Sequence, residues 1–176
     1  LTDGHDLSNL STRQYRLEMI ADRPPSAAIA EPGSDESVLA TASIPLQAVA
    51  QDDVAVESLA LEAEAPIRSG PSQPGVATTS TLQSAVGRGT TLDAAHQLEL
   101  TPWKLEPGDV VALTAVALDV FDLDGRRHEP VRSTPRKLTV IEPNKLTEQL
   151  RSELAGLRQQ AIRLEASALG MPGQQV

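Results

Sequence analysis

Two alternating runs flank an Asp-Asp pair in the first third of the chain. In Ile44-Pro-Leu-Gln-Ala-Val-Ala-Gln51, the residues Ile44, Leu46, Ala48 and Ala50 fall on one face. Across the pair, Leu59, Leu61 and Ala63 do the same. A period of two is the signature of a half-buried β-strand, so strands are predicted at about 43–51 and 56–64. The same reading gives strands at 14–21, with Tyr15, Leu17, Met19 and Ala21 on one face, and at about 27–30. Further strands are predicted at 92–100, with His96, Leu98 and Leu100 together, and at 136–141, with Leu138 and Val140 inward. Val110–Asp119 is apolar on both faces, which marks a central strand.

Punctuation supports the divisions. Asp22-Arg23-Pro24-Pro25 stops the first strand, because consecutive prolines remove donors and fix an extended chain. Glu31-Pro-Gly-Ser-Asp35 is a turn cluster, and Pro107-Gly108 stand in the order a type II turn prefers. Residues 66–89 are rich in Pro, Gly, Ser and Thr and read as a long connection. After Pro143 the period changes. Leu146, Leu150, Leu154, Leu157, Ala161, Leu164 and Ala168 share a helix face, with Asn144 as the expected N-cap and the end near Gly170. From Leu154 the spacing alternates three and four, as in a coiled-coil seam. The stripe needs a partner: its own sandwich, a second copy, or a longer helix.

The expected organisation is a flexible lead-in over 1–11, an extra strand over 12–23, a sandwich over 24–143 with a long loop at 66–89, a helix over 144–169 and a tail over 170–176. Tyr15–Pro24 echoes Arg136–Pro143, which makes the extra strand a candidate last strand of a preceding sandwich. Two amphipathic strands also look alike without any repeat.

At 176 residues the chain is long enough to bury a core, and with one Trp, one Tyr and one Phe that core must be aliphatic. The net charge of −9 argues against a nucleic-acid partner, since little is present to neutralise phosphates. Residues 1–125 carry 6 basic and 19 acidic residues, a net of −13, whereas 126–176 carry 9 basic and 5 acidic, a net of +4. Without cysteine there is neither disulfide nor thiolate metal site. No run of 18 apolar residues is present to span a membrane. A chain that opens on Leu1 without a signal peptide reads as a segment of a longer product.

Tyr15–Pro25, Ile29–Asp35, Ile44–Asp53, Leu59–Leu61 and Leu105–Asp119, in that order, resemble the immunoglobulin-like segments of large, uncharacterised envelope proteins of planctomycete-type bacteria. In those proteins the sandwich precedes a long, coiled-coil-prone helical region. Asp52-Asp53 and Leu105–Val111 match best; Val54-Ala55 stand where that pattern carries Gly or an aromatic residue. The resemblance implies an all-β, immunoglobulin-like or fibronectin-III-like antiparallel β-sandwich with a C-terminal α-helix. It also implies an extracytoplasmic, structural or interaction role, and it carries no catalytic residues.

In that topology the loop after the second sandwich strand and the loop before the last lie at one end. Asp52, Asp53, Asp119, Asp122 and Asp124 would gather there, and carboxylate oxygens suit Ca²⁺. The linker Asp22-Arg23-Pro24 is expected to reach the same end, where a cation would stiffen a domain junction. The competing account is that Asp and Gly simply populate turns. Phe121–Gly125 shares the opening of an EF-hand loop but lacks its later ligands.

His5, His96 and His128 have no metal-ligand spacing to one another; His96 reads as structural and the other two as surface residues. No Gly-x-Ser-x-Gly elbow occurs, and Gly87–Leu92 lacks the Lys of a phosphate loop. Trp103 is a lone candidate glycan platform or a core cap. Arg126, Arg127 and Arg132 form a basic loop patch facing an acidic body or solvent.

The expectation is therefore a non-catalytic spacer and partner-docking module of a bacterial cell-envelope protein, with no resident cofactor. Leu150, Leu154, Leu157 and Leu164 would carry the contact, with the same or another chain as partner. The alternative is a ligand-binding module, for Ca²⁺ at the acidic loops or a glycan near Trp103.

Overall fold

The computed structural model describes residues 21–67 and 75–169 of the 176. The lead-in, most of the strand expected over 12–23, and the tail lie outside these residues; Ala21–Arg23 carry no strand. Among the described residues, nine strands form two sheets, followed by one α-helix. β1 (Ser26–Glu31), β3 (Ser43–Gln51) and β6 (Thr91–Glu99) form a three-stranded sheet in the order β1-β3-β6. The second sheet runs β2-β9-β7-β4-β5, from β2 (Glu36–Val38), β9 (Arg136–Val140), β7 (Val110–Asp119), β4 (Val56–Ile67) and β5 (Val76–Val86). The short β8 (Val131–Arg132) pairs with β7.

The sheets share one core. Ile44, Leu46, Ala48 and Ala50 of β3 and Ala94 and Leu98 of β6 meet Leu59, Leu61 and Ala63 of β4, Val111, Leu113 and Ala115 of β7, and Leu138 and Val140 of β9. Every inward residue read from the alternation of these strands is buried, apart from the half-buried His96. Apolar burial contributes about 25 cal/mol per Å², and among the described residues the buried hydrophobic core is aliphatic throughout.

Two β-bulges shape β4. Val56 pairs with Asp119 but Ser58 with Leu118, so Glu57 is an extra residue. That insertion changes the parity and lets Val56 and Leu59, three apart, both point inward. On the other side Leu61 pairs with Gln83 and Glu62 with Thr81, which leaves Leu82 as the inserted residue of β5, packed on the core.

Three expectations change. Residues 66–89 are not one long loop, because they contain β5, which pairs with β4 from Ser58 to Ile67. β5 lies at the sheet edge, where Thr and Ser suit a strand with one solvated face, and the Leu82 bulge breaks the alternation that would have revealed it. The sandwich is also not wholly antiparallel, since β2 runs parallel to β9 at the opposite edge. Finally, Asn144 lies inside the helix α1 (Pro143–Leu169) and does not cap it. The Glu142 carbonyl accepts the Leu146 N–H, and Pro143 fits the first helical position because its missing N–H is not needed there.

The turn before β7 follows its sequence. The Asp109 N–H donates to the Glu106 carbonyl, Gly108 takes a positive φ of 99°, and the Asp109 carboxylate accepts the Glu106 N–H.

Leu61→Ala or Leu113→Ala is expected to lower stability by about 2–5 kcal/mol, whereas Val86→Ala, on the exposed edge strand, is expected to change it by less than about 0.5 kcal/mol. Urea denaturation with an unchanged m-value checks both.

Candidate functional site

The end of the sandwich that carries the β3–β4 turn, the β7–β9 loop and the entry segment holds the densest polar chemistry. Its anchor is Asp119, the last residue of β7. Val111, Leu113, Ala115 and Ala117 point inward, and Asp119 continues that row at 1% exposure. Its Oδ1 accepts the Phe121 N–H at 3.2 Å. Its Oδ2 lies 2.5 Å from His128 Nδ1.

His128 reaches Asp119 because the intervening chain folds back on itself. Asp124 and Gly125 both have positive φ, 55° and 78°, as a type I′ turn requires. Leu123 and Arg126 exchange both backbone hydrogen bonds at 3.0 Å. Counting outward along the hairpin, Phe121 falls opposite His128, and their rings stack at 4.3 Å with an interplanar angle of 13°. The stack and the carboxylate together fix the imidazole.

Asp22 joins from the entry segment. Its carboxylate, that of Asp119 and the His128 imidazole each place one ligand atom within 4.8 Å of the others. Asp22 Oδ1 is buried and accepts no hydrogen bond. The expected arrival of the entry linker at this end is therefore present in the structure.

Of the five candidate carboxylates, only Asp119 belongs to this cluster, the one group of three or more His, Asp and Glu side chains this close among the described residues. Asp52 Oδ2 accepts the Val54 and Ala55 N–H groups at 3.0 and 2.7 Å, closing an Asx turn between β3 and β4. Asp122 Oδ1 accepts the Gly125 N–H at 2.9 Å. Asp53 and Asp124 are exposed. Asp52, Asp122 and Asp124 thus shape turns, the competing account of the acidic loops.

Sequence reading treated His128 as a surface residue. Two signals pointed inward instead: Asp119 continues the buried parity of β7, and an Asp-Gly turn at 124–125 sets Phe121 against His128. The basic patch engages the acidic body. Arg127 pairs with Glu57 at 2.7 Å and Arg132 with Glu62 at 2.9 Å. The Glu57 carboxylate raises the Arg127 guanidinium above its ordinary value.

Trp103 is half-buried against the core. Beside it lies a cleft of about 440 Å³, lined by Ile67, Thr78, Leu82 and Lys104 among others.

The second feature is the helix. Leu150, Leu154, Leu157 and Leu164 are 50%, 65%, 62% and 71% exposed. A cleft of about 460 Å³ is lined by Leu146 and Leu150 of the helix and by Asp35, Glu36 and Ser37 at the start of β2. Among the described residues, no helix is long and apolar enough to cross a membrane.

No family model and no curated protein matches this chain. Among solved structures it is similar to Spo0M, a sporulation control protein from Bacillus subtilis, at 9% identity and a TM-score of 0.34, over 70% of this chain. The chain spans about half of that protein, 51%. It is also similar to a chain from a study of T cell specificity and activation by the bacterial superantigen toxic shock syndrome toxin-1. That match has 13% identity and a TM-score of 0.32, and it covers 66% of this chain and 100% of the other. Neither likeness carries an argument about function.

Asp119→Ala removes the acceptor of both the Phe121 N–H and His128, and is expected to cost about 1–3 kcal/mol. A lower urea midpoint, together with loss of the structured His128 ring resonances in NMR, checks it.

Proposed function

We propose that this chain is a non-catalytic spacer and docking module of a larger bacterial cell-envelope protein, an immunoglobulin-like sandwich that carries a helix for pairing with a second copy of itself. The observation behind this reading is the leucine row of α1, each member at least half exposed on a helix of 27 residues, about 40 Å long. Such a row in water costs free energy until it is covered.

The sheet orders β1-β3-β6 and β9-β7-β4-β5, with β2 switching to the edge beside β9, support the immunoglobulin-like reading. The order of sandwich, then helix, together with the resemblance of Tyr15–Leu164 to bacterial envelope segments, supports the extracytoplasmic role.

The choice of a second copy rests on the heptad. Leu150, Leu157 and Leu164 occupy d, and Leu154 and Ala161 occupy a. Leucine at d is compatible with parallel two-stranded pairing. In that arrangement Glu153 at g faces Arg158 at e of the other helix, once on each side of the seam. An antiparallel pair centred on Arg158 would set two arginines against each other.

Light scattering on the full chain is expected to give a dimer mass that falls to monomer in Leu157→Asp/Leu164→Asp; equal masses for the two proteins would refute self-pairing. Glu153→Arg is expected to weaken the dimer, and Arg158→Glu added to it to restore the dimer by exchanging the charges. Sedimentation equilibrium reads both changes.

A further inference from the structure

We infer that Asp22, Asp119 and His128 form a binding site for a divalent first-row transition cation of the zinc type, placed where the entry segment meets the sandwich. The inference is independent of helix pairing.

The donor set is the first argument. Two carboxylates and one imidazole, each with a ligand atom within 4.8 Å of the others, match the nitrogen and oxygen donors of Zn²⁺ and its neighbours. Ca²⁺ takes six to eight oxygens, and the other four aspartates of this end are not gathered here. Two carboxylates with a neutral imidazole carry charge −2, which a divalent ion cancels.

The unpartnered oxygen is the second argument. The hydrogen shared by His128 Nδ1 and Asp119 Oδ2 satisfies those two groups but leaves Asp22 Oδ1 buried without a donor. Burying a carboxylate oxygen without a partner is costly. A cation that replaces that hydrogen, with His128 Nδ1 and Asp119 Oδ2 moving apart from 2.5 Å to about 3.3 Å, joins all three side chains.

The third argument is preorganisation. Asp119 is fixed by its place in β7 and by the Phe121 N–H, and His128 is held against the Phe121 ring. Two ligands are set by the sandwich, whereas Asp22 belongs to the segment that leads into it. Metal binding therefore ties the entry segment to the body.

The test uses the full chain, stripped with chelator and titrated with Zn²⁺ by calorimetry and with Co²⁺ by its visible d–d absorption. One equivalent is expected to bind, and saturation a hundredfold above Kd should raise Tm by about 5–10 °C. Asp22→Asn and His128→Gln are each expected to weaken binding at least about tenfold, while His5→Gln and His96→Gln leave it unchanged. Circular dichroism of the metal-free variants verifies that they fold. Ca²⁺ and Mg²⁺ are expected to leave Tm unmoved. No saturable Zn²⁺ or Co²⁺ binding, equal binding by the folded Asp22→Asn and His128→Gln variants, or a Tm rise with Ca²⁺ alone would overturn the assignment.

Discussion

Strand β4 is the member on which both layers depend. It is hydrogen-bonded to β5 on one side and β7 on the other, and its inward row of Val56, Leu59, Leu61, Ala63 and Ala65 is at most 2% exposed. A slip of one residue would turn that whole row to solvent. Much of the surrounding core is alanine, with Ala48 and Ala50 on β3 and Ala94 on β6 in the other sheet, and Ala115 and Ala117 on the neighbouring β7. With so few aromatic rings, the core is filled by small and aliphatic side chains, and each leucine carries a larger share of the packing.

The same inward row that builds the core places the polar cluster. β7 delivers Val111, Leu113, Ala115 and Ala117 to the interior and then, at its last inward position, a carboxylate. An ionisable group at 1% exposure must be matched, and the chain matches it by folding Phe121–His128 back through an Asp-Gly turn. The loop from β7 to β9 is thus held at its base by buried hydrogen bonds and along its flank by Arg127–Glu57 and Arg132–Glu62. The acidic excess of the body and the basic excess of the later chain meet in those two pairs.

The helix obeys a different rule. The sandwich ends at Ile141, which is buried and hydrogen-bonded to the Val38 carbonyl, and α1 starts two residues later. Its first turns lie beside β2 and the rest keeps its leucines in solvent. Among the described residues the core is closed by the strands themselves, and the leucine stripe is not part of it.

The sequence by itself determined β3, β4, β6 and β9, legible from their alternating aliphatic positions, and β7, legible as a run apolar on both faces. It also determined the Pro107-Gly108 turn and the helix with its leucine stripe, since backbone dihedrals and helical period are local properties. The polar edge strand β5, the three-residue β2 and the two-residue β8 were decided by pairing with neighbours already in place. A sheet supplies hydrogen bonds to a segment whose own composition specifies no strand. The meeting of Asp22, Asp119 and His128 was likewise decided by tertiary structure, through the parity of β7, the hairpin at 124–125 and the path of the entry segment. Asp119 was expected at this end as one of five aspartates and Asp22 as part of the entry linker, while His128 read as a surface residue; what sets the three apart is burial and mutual distance, and neither exists until the sheets close.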